Sequence, residues 1–323
     1  MSGEGPRNPH NLPGLLNFCV QHTRSEDAPS ESPAEMDPEK RKWLTEALDS
    51  MTISPVEEMS KNLTVIQDTL RALDDGTEEM KDDVCGTLVT ALENIIDYAG
   101  SVDYATDFHK IGGYGVLDQL LSFPDPEVCS TACELVAELV QNNPYCQREA
   151  APHMQKLISL VDSARDESSR VKALYAISCL VRHNTAGYDQ FEELDGFSVL
   201  LRTLQSDVTK LKVKACFLIS SLCSQEPKTK DTLLKMGFIE LLAGILQQER
   251  EGPHHEHLLC SLATLCKECP DARAEIARPQ LGMEAALRDT VRLLKGREES
   301  REVLEHCSTI LGLCFKEGTL ADR

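Results

Sequence analysis

Aromatic residues are scarce in this chain, 5% of 323 residues with Trp43 the single tryptophan. A core short of rings must be filled by Leu, Val, Ile, Ala and Cys, which suits packed helices. Positive charge is also short, with 33 Lys and Arg against 53 Asp and Glu and a net charge of −20. That balance argues against nucleic acid and anionic membrane surfaces as partners. No apolar run approaches the roughly 20 residues of a membrane helix, and no apolar signal region follows Met1. No GxGxxG fingerprint or Walker loop is present, and GGYG at Gly112 opens a helix with no strand before it. Spacing argues no histidine, serine and acid into a triad. Thirteen cysteines without a signal peptide read as reduced, buried small hydrophobes, and Cys146 and Cys179 lack a catalytic setting. The expectation is a cytoplasmic protein that is not an enzyme and carries neither cofactor nor metal.

What is present is a repeat. VKALYAISCLV at Val171 returns as VKACFLISSLC at Val213, 42 residues on, and DGFSVLL at Asp195 as MGFIELL at Met236. Gly196 and Gly237 stand 41 residues apart, and Leu117, Leu157, Leu200 and Leu241 mark four copies at spacings of 40, 43 and 41. Pro144, Pro227 and Pro270 follow the long helices where a helix should stop. A period near forty with about three helices per unit belongs to the armadillo and HEAT class, and a glycine between the short and middle helices favours armadillo. Such units cannot bury their apolar faces alone and must stack. The expected fold is all-α, a right-handed superhelical armadillo solenoid of four repeats with helical caps at both ends.

Along the chain, residues 1–36 look disordered apart from an apolar island, NLPGLLNFCV at 11–20. An N-terminal helical cap should occupy 37–102. Its helices run from Asp37-Pro38 through EKRKWLTEAL with Trp43 as anchor, from Ser54-Pro55 to about Leu73, and from about Thr77 to Tyr98. Four repeats fill 103–270, and a cap of two charged amphipathic helices fills 279–316.

On a helical wheel of Arg170 to His183, Ala173, Ala176, Ile177, Leu180 and Val181 form the core side. Val171, Tyr175, Ser178 and Arg182 fall opposite. The equivalents are Val213, Phe217, Ser220 and Ser224 in the next repeat, and Ser130, Glu134, Ala137 and Gln141 in the preceding one. Aromatics at Tyr175 and Phe217 on a non-core row, framed by charge, point to a protein-binding hot spot. The competing reading tucks Phe217 between units. Third helices line the concave groove of armadillo arrays, so the expected partner-binding groove comprises Val171, Tyr175, Arg182 and Phe217 with Glu134, Glu138 and Gln141. Lys210, Lys212, Lys214, Arg170 and Lys172 should edge the same face. His254, His255, His257, Cys260, Cys266 and Cys269 share one stretch, but the histidines open a helix two turns or more from Cys266, too far to converge on zinc.

RVKALYAISCLVRHN, LDGFSVLLRTLQ and KLKVKACFL, with NLPGLL, EKRKWLTEAL and PHHEH, resemble the heat-shock protein 70-binding exchange factors of the Fes-one and heat-shock-protein-binding-protein-one family. The resemblance runs from about Asn11 to Phe315, although the N-terminal tail lacks the long low-complexity tract of some relatives. It implies a monomeric cytosolic co-chaperone that grips the nucleotide-binding domain of heat-shock protein 70 in its concave face. ADP would leave, ATP enter and the client be released. It also implies that the N-terminal segment competes with released clients, through Leu12, Leu15, Leu16 and Phe18. The alternative is a non-enzymatic armadillo adaptor, an importin-like carrier or ligase scaffold. Importins use Trp and Asn ladders, and the matching positions here hold Tyr175 with Cys179 and Phe217 with Ser221.

Overall fold

The computed structural model describes residues 42–43, 54–77, 79–248, 252 and 254–315. The chain divides into two compact units, residues 1–57 and 58–323. Of the first, 42–43 (helical) and 54–57 are described. The expected disordered segment, the apolar island with Leu12, Leu15, Leu16 and Phe18, and nearly all of the Asp37 helix lie outside the described residues.

Ser54 Oγ accepts from the Glu57 amide at 3.4 Å and opens α1, Pro55–Asp74. The helix expected from Thr77 starts later: α2 is Asp82–Ala99. The Thr77 amide and hydroxyl both turn back to the Ala72 carbonyl, at 2.9 and 3.0 Å. Thr77 therefore completes the end of α1 rather than beginning α2, and the first helical turn of α2 carries Asp82 and Asp83, which suit a helix N-terminus.

From Val102 the described residues repeat a short, a middle and a long helix. The first triplet is α3 (Val102–Lys110), α4 (Leu117–Leu120, preceded by a 3-10 turn) and α5 (Pro126–Val140). The second is α6 (Pro144–Ala150), α7 (Met154–Ser163) and α8 (Glu167–Val181). The third is α9 (Thr185–Glu193), α10 (Gly196–Leu204) and α11 (Thr209–Gln225). The fourth is α12 (Lys228–Lys235), α13 (Phe238–Gln248) and α14 (His255–Cys266). In the stretch expected as a two-helix cap, α16 (Met283–Leu294) and α17 (Arg301–Cys314) are preceded by α15 (Pro270–Ile276). The triplet thus occurs a fifth time, in a sequence too charged to display the motif. The long helices pack in series, α2 on α5, then α8, α11, α14 and α17. This is the armadillo arrangement.

Caps explain why the breaks recur. Asp125 accepts from the Glu127 and Val128 amides, both at 3.0 Å, with Pro126 in the first turn. Asn143 caps α6 at 3.2 Å ahead of Pro144, and Asp166 caps α8 at 2.6 Å. After three of the long helices one residue turns left-handed, at Asn142, His183 and Glu268 (φ 54°, 54° and 56°).

The register between the third and fourth triplets differs from the motif alignment. The left-handed residue before the middle helix is Asp195 (φ 57°) in one and Gly237 (φ 74°) in the next. Leu200 is buried, and its buried counterpart is Leu242, with Leu241 only half-buried. The structural offset is 42 residues, so the aligned glycines do different work. Gly237 supplies a positive φ. Gly196 supplies space, because a Cβ there would lie 2.2 Å from Phe191 Cε2. Phe191 and Tyr188 in turn pack edge-on to Phe197 at 5.3 and 5.9 Å.

Candidate functional site

Three consecutive long helices bring most of the expected groove residues into one row. Tyr175 on α8 donates from its hydroxyl to Glu138 Oε1 on α5 at 3.3 Å. The Lys214 ammonium on α11 sits 4.6 Å above the Tyr175 ring. Lys172 Nζ, on α8, pairs with Glu134 Oε2 on α5 at 2.6 Å. The Arg182 guanidinium lies 5.0 Å over the Phe217 ring of α11. Each tie crosses a unit boundary, so the row is also a seam between repeats. Cation–aromatic contacts of this kind hold rings outward without burying them.

Local structure explains the placement. α8 ends at Arg182, whose backbone turns extended (φ −71°, ψ 131°) as the C-cap. His183 then turns left-handed, and its amide donates to Gln225 Oε1 of the next unit at 2.8 Å. From the other side Gln147 Nε2 donates to the Cys179 carbonyl at 2.8 Å. Those two glutamines clamp the end of α8 on both flanks. Arg182 Nε is buried and has no hydrogen-bond partner. Burial first, with the Glu138 carboxylate adding to it, pushes the Tyr175 hydroxyl above its usual range, so it stays a donor. Burial pushes the neighbouring Cys179 thiol up to about 11.

Phe217 is 52% exposed, which removes the reading that tucks it between units. Gln141 stands exposed at the C-cap of α5, and Val171 is half-buried one turn before Tyr175, so both border the row. The wheel misplaces some neighbours. Ser178, Ser130 and Ala137 are buried, because α5 and α8 are enclosed on most sides by adjoining helices. Lys212, expected on the edge, is buried, and Arg170 Nε donates to the Val161 carbonyl at 2.9 Å within its own unit. Lys172 and Lys214, visible in sequence only as edge charge, prove to be the cations that frame Glu134 and Tyr175.

What the row can do chemically is bind. It presents an exposed ring, a half-buried tyrosine, two carboxylates and a guanidinium, and no nucleophile with an activating base. His254 and His255 stack at 5.1 Å and are buried at the start of α14, while Leu262, Leu265 and Cys266 are core. Among the described residues no group of three or more His, Cys, Asp or Glu is placed to hold a metal ion. No described helix is long and apolar enough to cross a membrane.

Comparison with known proteins gives a consistent set. The family model described as SIL1/FES1/HPBP1 C-terminal domain matches residues 104–211. That described as Nucleotide exchange factor Fes1 matches residues 12–108. Hsp70-binding protein 1 of Mus musculus is 36% identical over 324 residues, covering 97% of this chain and 88% of the relative. The Hsp70 nucleotide exchange factor FES1 of Mycosarcoma maydis is 32% identical over 181 residues, covering 55% of this chain and 43% of that one. Among solved structures, a designed armadillo repeat protein superposes with a TM-score of 0.60 at 17% identity, over 79% of this chain and 98% of its own.

Proposed function

The chain belongs to the family of Hsp70-binding protein 1 and the Fes1 nucleotide exchange factors, and from that premise we propose that it is a co-chaperone that binds Hsp70 and promotes nucleotide exchange. The observation that carries this is the 36% identity to Hsp70-binding protein 1 over 97% of the chain. The partner surface on Hsp70 is the nucleotide-binding domain, gripped by the concave layer of long helices. Tyr175, Phe217, Arg182, Glu134 and Glu138 make the central contacts, with Val171 and Gln141 at their border. The protein acts as a monomer in the cytoplasm and is not an enzyme.

No bond is made or broken by this chain. Exchange needs only tighter binding to the conformation of Hsp70 in which the nucleotide cleft is open. Holding one lobe of the domain while displacing the other raises the rate at which ADP leaves, and ATP then enters. The N-terminal residues Leu12, Leu15, Leu16 and Phe18 are proposed to compete with released clients.

Stopped-flow release of a fluorescent ADP analogue from Hsp70 tests the reading. The wild-type chain should accelerate release, the Tyr175→Ala variant should not, and deletion of residues 1–36 should leave acceleration intact. A folded wild-type chain with no effect on release would hand the case to the adaptor reading.

A further inference from the structure

Among the described cysteines, Cys266 and Cys314 stand apart. Their sulfurs lie 3.5 Å from each other, one at the end of α14 and the other at the end of α17. A disulfide needs about 2.05 Å, so closing the pair takes roughly 1.5 Å, within reach of side-chain rotation between two packed helices. Cys266 is buried, whereas Cys314 is half-buried and open to a small oxidant. Arg273 on α15 holds the Cys266 carbonyl at 2.7 Å through its Nε and so brings positive charge to the pair.

We propose that Cys266 and Cys314 form a reversible thiol–disulfide site that takes a hydroperoxide as its oxidant and fastens the last helix of the solenoid to the repeat before it. The Cys314 thiolate attacks one oxygen of hydrogen peroxide, giving a sulfenic acid and hydroxide, which takes up the thiol proton as water. The Cys266 sulfur then displaces the sulfenic hydroxyl, which leaves with the second thiol proton as another water. Two thiols lose two electrons, peroxide gains them, and one S–S bond results. The roles follow from environment. Cys314 is half-buried and reachable by the oxidant, with the Arg273 charge favouring its thiolate, while Cys266 is buried behind it. Cys314 is therefore the attacking thiol and Cys266 the resolving one. Cys129 and Cys133 offer a contrast. They lie one turn apart on α5, but both are buried and out of an oxidant's reach, and the Cys129 thiol donates to the Leu121 carbonyl at 3.4 Å.

The proposal is independent of the exchange activity. The consequence is mechanical: the bond closes a chain loop from α14 to α17 and limits fraying of the terminal repeat.

The test treats the full chain with stoichiometric hydrogen peroxide, alkylates remaining thiols and maps the peptides by mass spectrometry, before and after dithiothreitol. The expected product is a reducible Cys266–Cys314 cross-link, with Cys129 and Cys133 recovered alkylated only once the protein is unfolded. Hydrogen exchange across α17 should slow by about tenfold or more in the oxidised wild type and not in C314S. Both cysteines recovered as free thiols, Cys314 recovered as sulfinic acid without a cross-link, or a cross-link with unchanged exchange in α17 would each overturn the proposal. C266S gives a second check, since it should leave Cys314 as a trapped sulfenic acid reactive to dimedone.

Discussion

Phe217 is the residue on which the proposed interaction surface turns. Half of it faces solvent, so its removal deprives the fold of little, yet the Arg182 guanidinium holds its ring in place before any partner arrives. Preorganised aromatic and arginine pairs are what interface hot spots are made of. Phe217→Ala should weaken Hsp70 binding by about 2 kcal/mol, roughly a 30-fold rise in Kd, while its urea midpoint stays at the wild-type value. Titration calorimetry and chemical unfolding on the same preparation check both halves. Tyr175→Ala should cost more than about 1 kcal/mol of binding. Tyr175→Phe should cost less, because it keeps the ring under Lys214 and loses only the hydrogen bond to Glu138. Equal losses for the two Tyr175 variants would move the contact from the ring to the hydroxyl.

At the scale of the helix and its turns, the motif that reveals the repeat also conceals its register. The two glycines of DGF and MGF align by eye, but Asp195 takes the left-handed position in one turn and Gly237 in the other. Their alanine variants should therefore fail for different reasons. Gly237→Ala meets nothing closer than Glu240 Oε2 at 3.7 Å and suffers only the left-handed backbone, about 1–2 kcal/mol. Gly196→Ala drives a methyl into the Phe191 ring and through it disturbs Tyr188 and Phe197, so roughly 1–3 kcal/mol is expected with loss of the near-ultraviolet aromatic signal. Thermal melts with circular dichroism in both regions separate the two, and an unchanged aromatic signal in Gly196→Ala would contradict the packing account. The same contrast shows what could be read from the residues. Prolines announce helix ends through local chemistry, so Pro55 and Pro144 were legible, whereas the caps Asp125, Asn143 and Asp166 emerged only with the structure. The exposed row was legible at Tyr175 and Phe217, where a ring interrupts a polar face. Ser178, Ala137 and Lys212 were misplaced because a helix enclosed by neighbours has no single apolar side, and a wheel records only the helix itself. The cation over each ring and the Cys266–Cys314 pair depend on residues roughly one repeat away, about which local pattern carries no information.

For the whole molecule the decisive property is stacking. Each inner long helix is packed by the long helices before and after it, and ties such as the paired Arg202–Asp162 bonds (2.7 and 3.0 Å) and Thr229 to the Tyr188 hydroxyl (2.9 Å) fix one unit to the next. A surface drawn from α5, α8 and α11 together can thus present one shape to a partner, and a rigid shape is what differential binding requires. If the chain favours the open form of Hsp70, it lowers the affinity of Hsp70 for ADP by some factor. ADP must then lower the affinity of Hsp70 for this chain by that same factor, since both belong to one thermodynamic cycle. A coupling of about 5–150-fold is the expected range. Calorimetry gives the four constants: the chain binding Hsp70 with and without ADP, and ADP binding Hsp70 with and without the chain. Phe217→Ala should weaken both arms that involve the chain while leaving the ratio between them unchanged, because a contact made equally to the open and closed forms changes affinity without changing coupling. A ratio that falls toward one in that variant would instead place Phe217 among the contacts made only with the opened domain. A ratio of one in the wild type would mean that the chain binds Hsp70 without weakening its hold on ADP.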